Sequence, residues 1–409
     1  MKIAMFTDAY FPRINGVSVS VKSYATELSR LGHEVCVVCL EYSQEQQKSS
    51  FFNEKESDAA APFKILRIPS LSVVFSKEDR MVRLNTWHYL KKNLDSFEPE
   101  IIHINTEWSV GYLGSIYARH RKLPCVFTFH TMWEDYLANY VPFLPDVSLR
   151  KIGVGVVKYY LKRADEIIAP TQRIASVIYR YGIEKTPDIL PTGISEEKLK
   201  YSIKRAMTVK SYLNSKFPEI KGKKILLYVG RIVKEKNCGF LLDVLKKVHE
   251  KNKKTALLFV GNGPYIEELK EKAAGMNLKD SVFFTGYISG EDLVYFYRMA
   301  GVFTFPSKTE TQGLVTVEAM LSGLPVVAIG ELGTADVMQG DNGGFMVKDD
   351  VSEFAGRVLE LLENQNLRKQ KSLEAKNWGA KWKMSALTPK LLDCYKKAAA
   401  AKFSENTGL

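Results

Sequence analysis

Short apolar runs alternate with amphipathic stretches along the whole chain. The first run, Lys2 to Phe6, is followed by a helical pattern from Val19 to Leu31, then by apolar segments at Glu34 to Leu40, Ile65 to Ile68, Ile101 to Ile104 and Cys125 to Phe129. Brief apolar runs bounded by turn residues are the pattern of strands buried on both faces, and their alternation with helices predicts a parallel sheet. A helical stretch from Ser148 to Arg163 precedes a further strand at Glu166 to Ala169 and a helix at Gln172 to Tyr181. The polar segment Ser195 to Lys223 breaks the series. A second one begins at Lys224 to Val229 and continues through strands at Ala256 to Val260, Val282 to Phe284, Val302 to Phe305 and Pro325 to Ala328. The expectation is an α/β chain of two Rossmann-like, doubly wound domains facing each other across a cleft, residues 1–200 and 201–375. The basic helical segment 376–409 is expected to pack back toward the first domain and to end in a frayed tail. Residues 41–61, rich in Gln, Ser, Glu, Lys and Ala, are expected to form an exposed loop.

Composition narrows the class. Of 409 residues, 45% are hydrophobic and 25% charged, as in a folded enzyme. No stretch approaches the roughly 20 apolar residues of a spanning helix, and the first apolar run meets Asp8 too soon for a signal peptide, so a cytoplasmic location is expected. The five cysteines sit mostly in strand-like runs and read as reduced packing thiols; Cys36 and Cys39 have C-x-x-C spacing but lie inside one strand, with no second pair. The net charge is +12, and between Lys64 and Lys92 seven Lys/Arg face two Asp/Glu, an excess of +5. This segment reads either as a solvated helix face or as a surface for an anionic partner. No nucleic-acid recognition motif accompanies the charge, so the expected partner is an anionic membrane face. Arg80, Arg83, Trp87, Lys91 and Lys92 would lie along one basic and aromatic helix, and the protein would attach peripherally to the inner face of the cell membrane.

Candidate chemistry gathers where strands end. Asn15-Gly16-Val17 follows the first strand and opens a helix near Ser18, whose free N–H groups suit either a phosphate or a plain structural turn. After the first strand of the second series, Gly230-Arg231-Ile232-Val233-Lys234-Glu235-Lys236 places cations at the carboxyl edge of a parallel sheet. Arg231 and Lys236 could offset a pyrophosphate there without a metal, or could be solvated loop cations. In Phe305 to Met320 a strand ends, a loop carries Glu310, and a helix starting near Gly313 carries Glu318. The two carboxylates could both face a ligand, one on sugar hydroxyls and one on ribose hydroxyls, with the N–H groups of Gln312, Gly313 and Leu314 aimed at phosphate or sugar. No D-x-D pair stands at a strand end, and Asp349-Asp350 reads as a helix cap, so no metal is expected.

Taken together these segments resemble the retaining glycosyltransferases of GT-B fold with the E-x7-E signature, matched here by Glu310 and Glu318. The resemblance runs in order through Asn15-Gly16-Val17, Pro191-Thr192-Gly193-Ile194, Gly230-Arg231 with Lys236, and Gly261-Asn262-Gly263-Pro264. It implies that Gly16 and Val17 approach the donor diphosphate and that Arg231 and Lys236 bind it. Gly261, Gly263, Gln312, Gly313 and Leu314 would complete the donor site, with Glu310 on the transferred sugar and Glu318 on the ribose. Two further segments, His103 to Gly111 and Phe129-His130-Thr131-Met132-Trp133-Glu134-Asp135-Tyr136, resemble the subgroup that glycosylates diacylglycerol in bacterial membranes, with Trp133 and Asn105 standing where that subgroup commonly has tyrosine and histidine. His130 would then sit beside the reacting sugar, while Asn15, Glu107, Trp133, Glu134 and Asp135 would meet the acceptor; read without the resemblance, His130 could be structural and Glu134-Asp135 a solvated pair. The implied reaction moves a hexose from a UDP-sugar, the only co-substrate, to diacylglycerol or a related lipid. A transferase for a soluble glycan or a phosphatidylinositol-type lipid is the nearest rival, and a non-catalytic sugar-nucleotide-binding protein a more distant one. A two-domain oxidoreductase is disfavoured because neither first βα turn carries G-x-G-x-x-G.

Overall fold

In the computed structural model, residues 1–13, 15–42, 58–73, 76–130, 146–288, 290–310 and 312–407 are described; Trp133, Glu134, Asp135 and most of the expected 41–61 loop lie outside them. The chain divides into two compact units, Met1–Gly193 with Met384–Leu409, and Ile194–Lys383. The first boundary thus falls a few residues before the expected position 200. The second falls at Lys383/Met384 and not at 375, because the preceding helix belongs to the second unit's own core through Ala375.

The first unit contains β1 (Lys2–Phe6), α1 (Gly16–Arg30), β2 (Glu34–Leu40), β3 (Lys64–Ile68), β4 (Ser70–Val73), β5 (Ser76–Val82), α2 (Thr86–Asp95), β6 (Ile101–Ile104), α3 (Ser109–Arg121), β7 (Cys125–Thr128), α4 (Asp146–Arg163), β8 (Glu166–Ala169), α5 (Gln172–Arg180) and β9 (Asp188–Ile189). Its main sheet is parallel, in the order β3-β2-β1-β6-β7-β8-β9. Alternate residues of each strand serve opposite faces: Ala4 and Phe6 join one core layer, Ile3 and Met5 the other.

The second unit contains α6 (Ile203–Lys216), β10 (Lys224–Val229), α7 (Phe240–His249), β11 (Thr255–Val260), α8 (Ile266–Gly275), β12 (Val282–Phe284), α9 (Gly290–Met299), β13 (Val302–Phe305), α10 (Leu314–Leu321), β14 (Val326–Ile329), α11 (Leu332–Met338), β15 (Gly344–Val347), α12 (Val351–Glu363) and α13 (Gln365–Gly379). Its sheet runs β12-β11-β10-β13-β14-β15, again parallel. In both sheets the order reverses beside the first strand, between β1 and β6 and between β10 and β13. Adjacent loops at such a switch point leave in opposite directions and open a crevice at the carboxyl edge.

The last helix, α14 (Met384–Thr407), returns to the first unit, where Met384, Leu387, Leu391 and Tyr395 are buried beside Ile3, Met5 and Val37. Among the described residues no helix is long and apolar enough to cross a membrane.

The basic segment departs from expectation. Arg80 is not on a helix: it lies on β5, which pairs antiparallel with β4, and its guanidinium donates to Ser70 Oγ, the Ser70 carbonyl and Ser72 Oγ. Trp87, on α2, turns inward onto the rings of Tyr117 and His120. Lys91 pairs with Asp95 at 3.8 Å, leaving Arg83 and Lys92 exposed. A short hairpin with alternating sides, followed by a helix start at Thr86, mimics one helical period in the sequence.

Candidate active site

In the second unit the loops leaving β10 and β13 meet at the switch point. Lys236 Nζ lies 3.1 Å from Glu310 Oε2, and both side chains are about four-fifths buried. Asn237 Nδ2 donates to the Pro306 carbonyl at 3.4 Å, and the Gly333 N–H to the Glu310 carbonyl at 2.8 Å, so the Glu310 loop is anchored on both sides. Arg231 stands exposed on the same β10 loop, its carbonyl accepting the Tyr228 hydroxyl at 2.9 Å. Two cations and one carboxylate are thereby collected where a sheet of this order binds ligands.

The glycines explain how the loops fit. A Cβ on Gly261 would lie 1.9 Å from the Gly230 carbonyl oxygen, and one on Gly263 would lie 2.1 Å from that of Ile232. Both residues, expected in the donor site, are therefore required by close backbone approach between the β10 and β11 loops, which sets the course of the Arg231 loop. Gly313 has φ +64° and precedes α10, whose N-terminus carries no side-chain cap; Gln312 and Leu314 flank it. Uncapped N–H groups at a helix start are suited to an anion.

Glu318 has different surroundings from Glu310. Its Oε2 accepts the Tyr297 hydroxyl at 3.0 Å, and it lines a small cavity with Lys198, Leu293 and Ser322. Burial raises its carboxyl pKa, with Lys198 and the Tyr297 hydrogen bond opposing. Glu310 pairs with Lys236 while Glu318 is held from α9, so the two signature glutamates have different partners within the protein.

In the first unit the β1 and β6 loops meet in the same way. Asp8 accepts from Thr106 Oγ1 at 2.7 Å, from Ser109 Oγ and the Val110 N–H at 2.8 Å each, and from the Gly111 N–H at 3.3 Å, capping α3. Burial nevertheless raises its pKa, outweighing these bonds. Gly111 belongs to this knot, since a Cβ there would lie 1.8 Å from the Thr106 carbonyl oxygen. The sequence reading missed Asp8, although an acid directly after a buried first strand was the available signal.

α1 begins at Gly16, two residues before the expected start, because Asn15 and Ser18 form a capping box: Asn15 Oδ1 accepts the Ser18 N–H at 2.9 Å, and Ser18 Oγ accepts the Asn15 N–H at 2.8 Å. The Ser18 N–H is thus already satisfied and the Asn15 side chain already used. Gly16 faces open space, and Val17 follows it. His130 follows β7; burial pushes its pKa down to about 4, and among the described residues its buried Nε2 has no hydrogen-bond partner. His103 is wholly internal, joined to the Tyr395 hydroxyl at 2.8 Å and Thr128 Oγ1 at 2.7 Å, with burial holding its pKa at about 3.

Glu107, only 3% exposed, lines an open groove of about 610 Å³ together with Met81, Trp108, Tyr112, Ile152, Val156 and Tyr159. Trp108 precedes α3, and Ile152, Gly155, Val156 and Tyr159 recur at helical spacing on α4. Several of these large apolar side chains are open to solvent, Ile152 at 55% exposure. Among the described residues the one group with metal-ligand spacing is Glu166, Asp188 and Cys394, where Lys397 Nζ already bonds both Asp188 oxygens at 3.0 Å.

Two doubly wound parallel sheets, each with its loops gathered at a switch point, define a protein of the GT-B class. Residues 14–198 match the family described as Glycosyltransferase Family 4, and residues 212–378 that of Glycosyl transferases group 1. The alpha-monoglucosyldiacylglycerol synthase of Streptococcus pneumoniae is 31% identical over 88% of this chain and 78% of its own length; that of Acholeplasma laidlawii is 28% identical over 90% and 89%. The sulfoquinovosyl transferase SQD2 of Arabidopsis thaliana is 26% identical over 95% and 72%. Among solved structures, Anabaena HepE in complex with UDP superposes with a TM-score of 0.73 at 15% identity, over 96% of this chain and 99% of that one. The chain belongs to this glycosyltransferase family.

Proposed function

We propose that the protein transfers a hexose, glucose or galactose, from a UDP-sugar to the free hydroxyl of diacylglycerol with retention of configuration, at the cytoplasmic face of a membrane. The groove of the first unit carries the lipid part of this reading. A buried carboxylate among the residues lining an apolar, solvent-open groove suits a molecule with a hydroxyl at one end and acyl chains at the other. The names of the relatives from Streptococcus and Acholeplasma point the same way.

In the proposed reaction the donor diphosphate separates Lys236 from Glu310. Lys236 and Arg231 then hold the diphosphate while Glu310 accepts hydrogen bonds from the sugar. The acceptor oxygen attacks the anomeric carbon on the face from which UDP departs. The carbon–oxygen bond to the β-phosphate breaks, and the acceptor proton passes to the departing phosphate oxygen. Glu107 orients the acceptor hydroxyl, and neutral His130 offers its Nε2 to the sugar. The chemistry needs no metal, since two cations carry the leaving-group charge.

UDP release from UDP-glucose and UDP-galactose, measured in EDTA with and without diacylglycerol in anionic vesicles, tests the reading. Lipid-dependent release is expected for one sugar, and Glu310→Gln should lower it by about 10²- to 10³-fold. Release that ignores lipid, or that vanishes in EDTA and returns with magnesium, would contradict the reading.

A further inference from the structure

The second unit has a cationic pocket that the transfer reaction does not use. It lies at the amino edge of β13 and β14, opposite the donor loops, where Arg298, Gly301, Ser322, Leu324, Pro325, Arg368, Lys369, Ser372 and Lys376 enclose about 440 Å³. Four cations line it and no carboxylate does. Among the described residues none of the four is in an ion pair, whereas Lys371, on the same helix, pairs with Glu374 at 2.9 Å.

Two local features favour an anion at this concentration of charge. Arg368 and Lys369 lie near the N-terminus of α13, where the helix dipole already presents positive charge and the first turn holds no acid. Ser322, a lining residue of this pocket and also of the small cavity beside Glu318, is only 6% exposed, and among the described residues its buried Oγ has no hydrogen-bond partner. A buried hydroxyl without a partner costs about 1–3 kcal/mol. A phosphate oxygen would accept its proton.

We infer that this pocket binds a phosphate group, carried either by a small soluble molecule or by the headgroup of an anionic lipid. Phosphate offers several acceptor oxygens to guanidinium and ammonium donors at once. Ser322 caps the C-terminus of α10, one turn beyond Glu318, so occupancy would stiffen the helix that carries the second signature glutamate.

The test measures binding of inorganic phosphate to the full chain at constant ionic strength, and binding to vesicles of phosphatidylcholine with or without phosphatidylglycerol. Three proteins are compared with wild type: Arg368→Glu/Lys369→Glu, Ser322→Ala and, as control for the donor loops, Lys236→Ala. The double variant should lose at least tenfold in affinity with lipid-dependent turnover retained. Ser322→Ala should weaken phosphate binding about threefold while leaving the free protein as stable as wild type or slightly more so, which rules out misfolding as the cause. Saturable binding of free phosphate identifies a soluble ligand; recruitment by phosphatidylglycerol alone identifies a headgroup. Binding unchanged in the double variant, binding lost only in Lys236→Ala, or no binding of either probe overturns the inference.

Discussion

His130 and His103 are both kept neutral by burial, with pKa values pushed down to about 4 and about 3. The folded state therefore binds fewer protons than the unfolded chain, whose imidazoles titrate at about 6.5. Stability from these groups is full above pH 6.5 and is lost as pH falls toward 4. Urea unfolding at pH 7.5 and 5.5 should show His103 alone removing about 1 kcal/mol over that interval. For His130→Ala the expected kinetic result is a drop in kcat of about 10²-fold, with no inflection near pH 6.5 in the wild-type profile, since the ring is already neutral. Glu318 has the opposite sign: its raised pKa means that stability is present at low pH and lost as pH rises past the ordinary carboxylate range. Glu318→Gln should accordingly unfold no more easily than wild type at pH 7.5, and its advantage should shrink on acidification.

Among the elements, strand positions were readable from the chain because an apolar run bounded by turns admits few other structures. Lys224–Val229 and Val302–Phe305 fall where the pattern puts them. What the sequence concealed were partnerships across long separations. Nothing in local spacing shows that Lys236 meets Glu310, that Tyr297 takes Glu318, or that Asp8 ties down α3, since each depends on which elements the fold brings together. The β4–β5 hairpin defeated the periodicity argument for another reason: over so few residues, alternation and helical spacing coincide. The groove between α3 and α4 was legible in part, as Ile152, Gly155, Val156 and Tyr159 share a helix face while Lys151, Lys158, Lys162 and Arg163 lie along the same helix. If acyl chains occupy it, Ile152→Glu should raise KM for dioleoylglycerol roughly ten- to a hundredfold, matching the 1.5–3 kcal/mol of one buried aliphatic side chain. Its effect on a short-chain acceptor should be much smaller. An equal effect on both would assign the loss to the fold and not to the chains.

For the whole molecule the family resemblance read from scattered motifs and the two sheets of equal topology agree. The C-terminal segment, expected to pack back toward the first domain, makes that unit discontinuous in sequence. α14 supplies Leu391 and Tyr395, both fully buried, to a core otherwise built from the first 193 residues. Leu391→Ala should cost about 2–5 kcal/mol, and chemical denaturation should assign the loss to the first unit while the second keeps its midpoint. Unchanged stability would mean that the helix is only loosely docked.

The discontinuity also fixes an order of events during synthesis. At about 5–20 residues per second, the ribosome takes roughly 10–40 s to go from residue 193 to the end of α14. Throughout that interval the apolar layer around Ile3, Met5 and Val37, which α1 also covers, lacks the packing that α14 supplies. The second unit, contiguous in sequence, can be complete before the first one closes. A nascent chain stalled before Met384 would thus carry a finished second unit and a first unit still in need of a chaperone.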